Sequence, residues 1–131
     1  MRLNRNLRIE EGMAKLIYKI LREHEWRDAV ITHAYAGSQD DLRDGYIHFS
    51  MADQLKGTLE KYFRGCVNVQ VAAFDPNLMT DEFLRYEASR GGALFPHYYG
   101  KINISSAVNC WQVQVPQTGD IDLPFLDSKT A

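Results

Sequence analysis

The sequence predicts a single α+β domain, and three observations carry that prediction. The chain has 131 residues, which fits one domain of roughly 100–200 residues. Its hydrophobic fraction of 45% supplies a core without disulfide or metal staples. Short strand-like apolar runs are separated by helical stripes and by long irregular connections. That is the pattern of an α+β fold and not of a doubly wound α/β sheet.

Leu16–Leu21, LIYKIL, is short, apolar and partly β-branched, and reads as a buried strand. Trp26, Ala29, Val30 and His33 recur at three- and four-residue steps, giving one apolar helical face, and Gly37 is expected to end that helix. Asp44-Gly45 marks a turn before a strand at Tyr46–Phe49. Ser50 is placed to cap the next helix, with Asp53 favouring its positive end, and Met51, Leu55, Leu59, Tyr62 and Phe63 form its stripe up to Gly65. Val67, Val69, Val71 and Ala73 alternate with Asn68 and Gln70, the mark of a strand. Asp75-Pro76-Asn77 is a turn, Leu84–Ala88 fits strand or helix, and Ala107–Val115 reads as a late strand.

Residues 1–12 read as an N-terminal extension with Met13 as the natural start, residues 13–115 as the domain, and residues 116–131 as a polar, partly ordered tail. The N-terminus lacks the apolar run of roughly 7–15 residues of a signal peptide, and no stretch reaches the ~18 residues of a transmembrane helix. A cytoplasmic protein is therefore expected. The net charge of −2, with both signs mixed, argues against a bulk electrostatic grip on nucleic acid. Cys66 and Cys110 are far apart and suit a reducing compartment.

The chemistry concentrates in two blocks. EASRGGALFPHYYG, Glu87 to Gly100, combines an acid, a base, an imidazole, two phenols and several backbone-special residues. DGYIHFS, Asp44 to Ser50, is expected to face it across a cleft. On a strand, His48 and Ser50 point to one face. His48 fits a ligand contact or an acid–base group, and equally a satisfied core histidine; Ser50 fits a ligand contact or a helix cap. Pro96 stiffens the backbone beside His97, a candidate acid or base. Tyr98 and Tyr99 offer stacking faces for a planar ligand, or a core corner. Glu87 and Arg90 fit a general base and an anion anchor, or a structural ion pair. Gly91-Gly92 permits a tight turn or close backbone approach. No HxH, HExxH or Cys/His spacing points to a metal, and no GxSxG elbow points to a serine hydrolase.

IYKI at Ile17–Ile20, Trp26, Gly37-Ser38, DGYIHFS, Gln54 and RYEASRGGALFPHYYG at Arg85–Gly100 together resemble the DUF952 family over roughly Lys15 to Val115. The resemblance implies an ADP-ribosyltransferase-like fold: a split pair of β-sheets, a few short helices and a nucleotide cleft between the halves. It implies a nucleotide or ADP-ribose-like ligand, NAD among them. His48 would stand where a transferase tyrosine stacks on nicotinamide, with Lys19 on the first strand. On this reading His48 and Tyr99 hold the planar group, Arg90 and Lys19 the phosphates, and His97 or Glu87 does acid–base work. The late strand INISSAVNCWQVQV carries no acid, so the third position of a His-Tyr-Glu transferase has no counterpart. The alternatives are an ADP-ribosyl- or phosphotransferase using NAD, and a non-catalytic interaction domain whose histidines brace the cleft.

Overall fold

The computed structural model describes residues 15–127, apart from the side chains of Arg90 and Asp127. The expected extension at residues 1–12 and the start at Met13 lie outside the described residues. The architecture of the described residues is α+β, with three antiparallel sheets and four helices. The largest sheet has the order β4-β1-β5-β9, from Ser50–Met51, Ile17–Leu21, Val69–Phe74 and Asn109–Val113. The second has the order β3-β7-β6, from Ile47–His48, Leu94–Tyr98 and Leu84–Ala88. A small third sheet pairs β2, Ala34–Tyr35, with β8, Ile102–Asn103.

Both central strands of the large sheet are covered on two faces. Tyr18 and Ile20 of β1, with Val69, Val71 and Ala73 of β5, enter one core cluster. Ile17, Leu21, Ala72 and Phe74 enter the other. A strand buried on both faces needs apolar residues at nearly every position, which explains why Lys19, 5% exposed in the middle of β1, demands a partner. Leu84–Ala88 is a strand, and Gly91-Gly92 forms the turn of the β6–β7 hairpin, where the Gly92 amide donates to the Ser89 carbonyl at 2.8 Å.

Helix α1, Glu23–Thr32, ends on His33 in the left-handed region, four residues before the expected Gly37. Its face is also narrower than the stripe implies, since only Ala29 is fully buried and Val30 is exposed. Gly37 serves a different helix, α2, Gln39–Asp44. A Cβ at Gly37 would stand 2.5 Å from the Asp41 Cβ, and the residue sits at φ +125, so only glycine fits there. Helix α3, Ala52–Tyr62, buries Leu55 and Leu59. Its N-cap is Met51, not Ser50: the Met51 amide donates to Gln54 Oε1 at 2.9 Å, while Ser50 pairs with Tyr18 across the β1–β4 ladder.

Of the polar, partly ordered tail expected at residues 116–131, the described part packs onto the domain. Ile121 and Leu123 are buried in the first core cluster. The Phe125 ring stacks on Trp111 at 4.1 Å and 8°, and α4, Pro124–Asp127, closes over that edge. Arg64 donates to the carbonyls of Pro116 and Gly119, pinning the approach. No helix among the described residues is long and apolar enough to cross a membrane.

Candidate functional site

The chain crosses from one sheet to the other within three residues. β3 pairs with β7, β4 pairs with β1, and Phe49 between them sends its amide to the Pro96 carbonyl at 2.9 Å. At this fork lies a cleft of about 340 Å³, whose wall includes Lys19, Asp41, Tyr46, His48, Ser50 and His97. The two sequence blocks do meet: His48 lies directly opposite His97 in the β3–β7 ladder.

One side of the cleft is built on Asp41. The capping-box spacing of Ser38 and Asp41 starts α2, with the Asp41 amide donating to Ser38 Oγ at 3.2 Å and the Ser38 amide donating to Asp41 Oδ2 at 2.9 Å. The same carboxylate receives Lys19 Nζ at 2.7 Å, with both side chains buried. Its other oxygen receives the His48 amide at 3.2 Å and meets the His48 ring Nδ1 at 2.5 Å. Burial pushes the Asp41 carboxyl upward. The His48 hydrogen bond, the Lys19 charge and hydrogen bond, and the Ser38 amide together outweigh that push and hold it at about 2. Lys19 also donates to the His48 carbonyl at 3.1 Å, and His48 Nε2 reaches Asp44 Oδ2 at 3.0 Å.

The other side is built on Glu87. Its Oε1 receives both His97 Nδ1 and the Tyr99 hydroxyl at 2.7 Å. Those two hydrogen bonds, His97 first, hold the Glu87 carboxyl below its ordinary value against a weaker push from desolvation. An ionised carboxylate only accepts, so His97 Nδ1 carries a hydrogen, and in that tautomer of the neutral ring Nε2 is an acceptor. His97 is 3% exposed, and its Nε2 is buried with no hydrogen-bond partner. Tyr46 stacks on the His97 ring at 4.1 Å and 27° and also leans on His48 and Tyr99.

The candidate residues separate on this geometry. His48, Ser50, His97 and Lys19 line the cleft. Lys19, expected to contact phosphate, is held in the buried Asp41 pair. Ser50 Oγ lies 3.1 Å from the Thr58 hydroxyl. Glu87 and Tyr99 stand behind His97, outside the cleft wall, with the Arg85 guanidinium 5.3 Å from the Tyr99 ring centre. Tyr98 offers no stacking face to a ligand, because its ring is buried in the second core cluster, edge-on to Phe83. Arg90 falls in the hairpin turn, and its side chain lies outside the described residues. Sequence reasoning passed over Asp41 and Tyr46. The Ser38–Asp41 capping spacing was the available signal for the first.

Among the described residues no three His, Cys, Asp or Glu side chains are grouped to hold a metal ion. Cys66 and Cys110 are both half-buried free thiols; Cys110 donates to Gln70 Oε1 at 3.0 Å, and burial raises its thiol pKa.

Comparison with curated proteins finds no match. The fold matches crystal structures of the protein CC0527 from Caulobacter crescentus. The wild-type form is 38% identical with a TM-score of 0.79, covering 86% of this chain and 98% of that one. A methionine double mutant of CC0527 is 39% identical at the same TM-score of 0.79 and the same coverage, 86% and 98%. The solution structure of CC0527 matches with a TM-score of 0.73 at 38% identity, covering 84% of this chain and 94% of that one. Residues 20–110 match the family described as protein of unknown function, DUF952, and the chain belongs to that family.

Proposed function

We propose that the cleft at the sheet fork binds a nucleotide-derived or ADP-ribose-like small molecule, with NAD-related compounds as the leading class. The observation that carries this reading is His97 Nε2, a buried acceptor without a partner on the cleft wall. Leaving such a group unsatisfied costs about 1–3 kcal/mol, and a bound donor relieves that cost. The surrounding side chains are already oriented by their own hydrogen bonds, so little ordering remains for binding to impose. An ADP-ribosyltransferase-like architecture belongs to the same proposal. The two sheets diverge at Phe49 with the cleft between them, which supports it.

The Glu87–His97 pair favours a second reading, an enzyme acting on the same ligand class. A histidine whose Nδ1–H is held by a carboxylate takes a proton through Nε2, and the carboxylate stabilises the resulting imidazolium. Transfer by a His-Tyr-Glu arrangement is not what the pair supports, because residues 102–115 contain no acid.

A thermal-shift panel of NAD, ADP-ribose, nicotinamide, nucleosides and nucleotides tests the proposal. A true ligand at about 100 times its dissociation constant adds roughly 2.7 kcal/mol, read as several degrees. The shift should shrink in Glu87→Gln, which releases His97. A panel with no shift would reject the proposal and favour a histidine-braced domain that acts through a protein partner.

A further inference from the structure

Resting on that reading, we infer that the cleft receives the neutral nucleoside end of the ligand, base and ribose, and leaves any diphosphate outside. An N–H or O–H of that end donates to His97 Nε2.

The charge on the wall carries the first part. Three cations line the cleft, Lys19, Arg22 and Arg43, against four carboxylates, Glu25, Asp40, Asp41 and Asp44. Lys19 is neutralised by Asp41 within the buried pair. Arg43 is bridged by Asp40 and Asp44 at 3.0 and 3.1 Å. Arg22 lies over the Phe63 ring at 4.4 Å, with a guanidinium nitrogen 3.4 Å from the Tyr62 carbonyl. A diphosphate entering here would find each of these cations already engaged. At the start of α2 two amides are also engaged, that of Ser38 by the Asp41 carboxylate and that of Asp41 by the Ser38 hydroxyl. Phosphate sites are built the other way, with open backbone amides and unpaired cations.

Size and polarity agree. A cleft of about 340 Å³ is at the small end of ligand sites, roughly 300–1,000 Å³, and suits a nucleoside better than a dinucleotide. Its aromatic wall at Tyr46 and Phe95 and its hydroxyls at Ser50 and Thr58 match a planar base joined to a sugar. Among the described residues, the one buried side-chain polar atom on a wall residue without a partner is His97 Nε2, an acceptor in the tautomer that Glu87 holds, which selects a donor. Glu87, which is not part of the wall, takes the Nδ1 side of His97, leaving Nε2 as the side available to a ligand. Tyr46 stacks on the face of that imidazole, and a hydrogen bond to Nε2 lies in the ring plane. The other buried orphan among the described residues, the Tyr35 hydroxyl, sits in the second core cluster and is not part of the wall.

Calorimetric titration of the full chain with adenosine, guanosine, cytidine, uridine, ADP and ADP-ribose separates the outcomes. The ¹⁵N resonance of His97 Nε2 is followed alongside. The expected result is at least one nucleoside binding within about threefold of the tightest nucleotide, with the Nε2 resonance moving upfield as its lone pair accepts a hydrogen. A nucleotide binding more than about tenfold tighter than every nucleoside would overturn this inference while leaving the proposed nucleotide cleft intact. Nucleoside binding with a stationary Nε2 signal would overturn the donor assignment. No binding by any of the six would remove both this inference and the function it rests on.

Discussion

His48 and His97 face each other across the β3–β7 ladder, their rings edge to face with centres 5.6 Å apart, yet their surroundings differ in kind. Both ring nitrogens of His48 meet carboxylates, Asp41 at 2.5 Å and Asp44 at 3.0 Å. Only one nitrogen of His97 has a partner. The less exposed ring is the one left incomplete: His97 is 3% exposed against 34% for the His48 side chain. A group that folding alone required would be satisfied by folding alone, as His48 is. The incomplete partner marks where the molecule expects something from outside. On this comparison the Asp41 knot holds the cleft in shape and the Glu87 pair equips it.

Breaking the knot should produce the largest effect. Asp41→Ala leaves the Lys19 ammonium buried without a counter-charge and strips His48 of a partner. Loss of one member of such a buried pair costs about 3–5 kcal/mol, to be read from the urea midpoint. A loss below about 1 kcal/mol would deny the knot its structural role. Acid supplies a gentler version. Asp41 titrates at about 2 in the folded chain against 3.8 ordinarily, so the native state holds that proton less readily than the unfolded one. Its contribution is complete above roughly pH 4 and is lost as pH falls toward 2, amounting to about 2 kcal/mol. Urea midpoints across that range should show this limb in the wild type and a flatter one in Asp41→Ala.

Much of this division was legible in the residues, and the missing parts share a cause. The meeting of the two blocks was expected because each concentrates chemistry-bearing residues in one short segment. Strands β1 and β5 and the Leu55–Leu59 stripe were readable because burial on a regular face imposes a period. Helix α2 has only six residues, too few for a period, and only its capping spacing announced it. Without that helix Asp41 had no address, so Lys19 read only as a phosphate contact and not as half of a buried pair. The packing of residues 116–127 was not legible for a related reason. Its apolar residues Ile121, Leu123, Phe125 and Leu126 are diluted by Gly119, Pro124 and acids, and their burial depends on a surface supplied by Trp111 and the first core cluster.

The Glu87 side should respond in affinity and not in stability. Glu87→Gln keeps the shape but puts an amide where His97 Nδ1–H found a carboxylate. Without the ionic acceptor the ring is free to change tautomer or turn, and Nε2 is no longer held as an acceptor. Nucleoside affinity should fall about tenfold, the worth of one hydrogen bond, with an almost unchanged thermal midpoint. A variant that unfolds early while its residual affinity is normal would reverse the assignment, making Glu87 part of the frame.

Tyr99→Phe should produce the smallest change and sharpen the comparison furthest. The Tyr99 hydroxyl and His97 Nδ1 share one carboxylate oxygen, Oε1 of Glu87. The bond to Glu87, more than burial, raises the phenol's pKa, so the phenol remains a donor at neutral pH. Removing it leaves the histidine bond in place and concentrates the carboxylate's charge on His97, which should strengthen the hold on the tautomer that exposes Nε2. Nucleoside affinity should therefore stay within about twofold of the wild type, with the ¹⁵N shift of Nε2 retained. A loss as large as that of Glu87→Gln would mean that Tyr99 positions Glu87 for its task. The working unit behind the cleft would then be the triad of Tyr99, Glu87 and His97, and the asymmetry between the two histidines would rest on three residues.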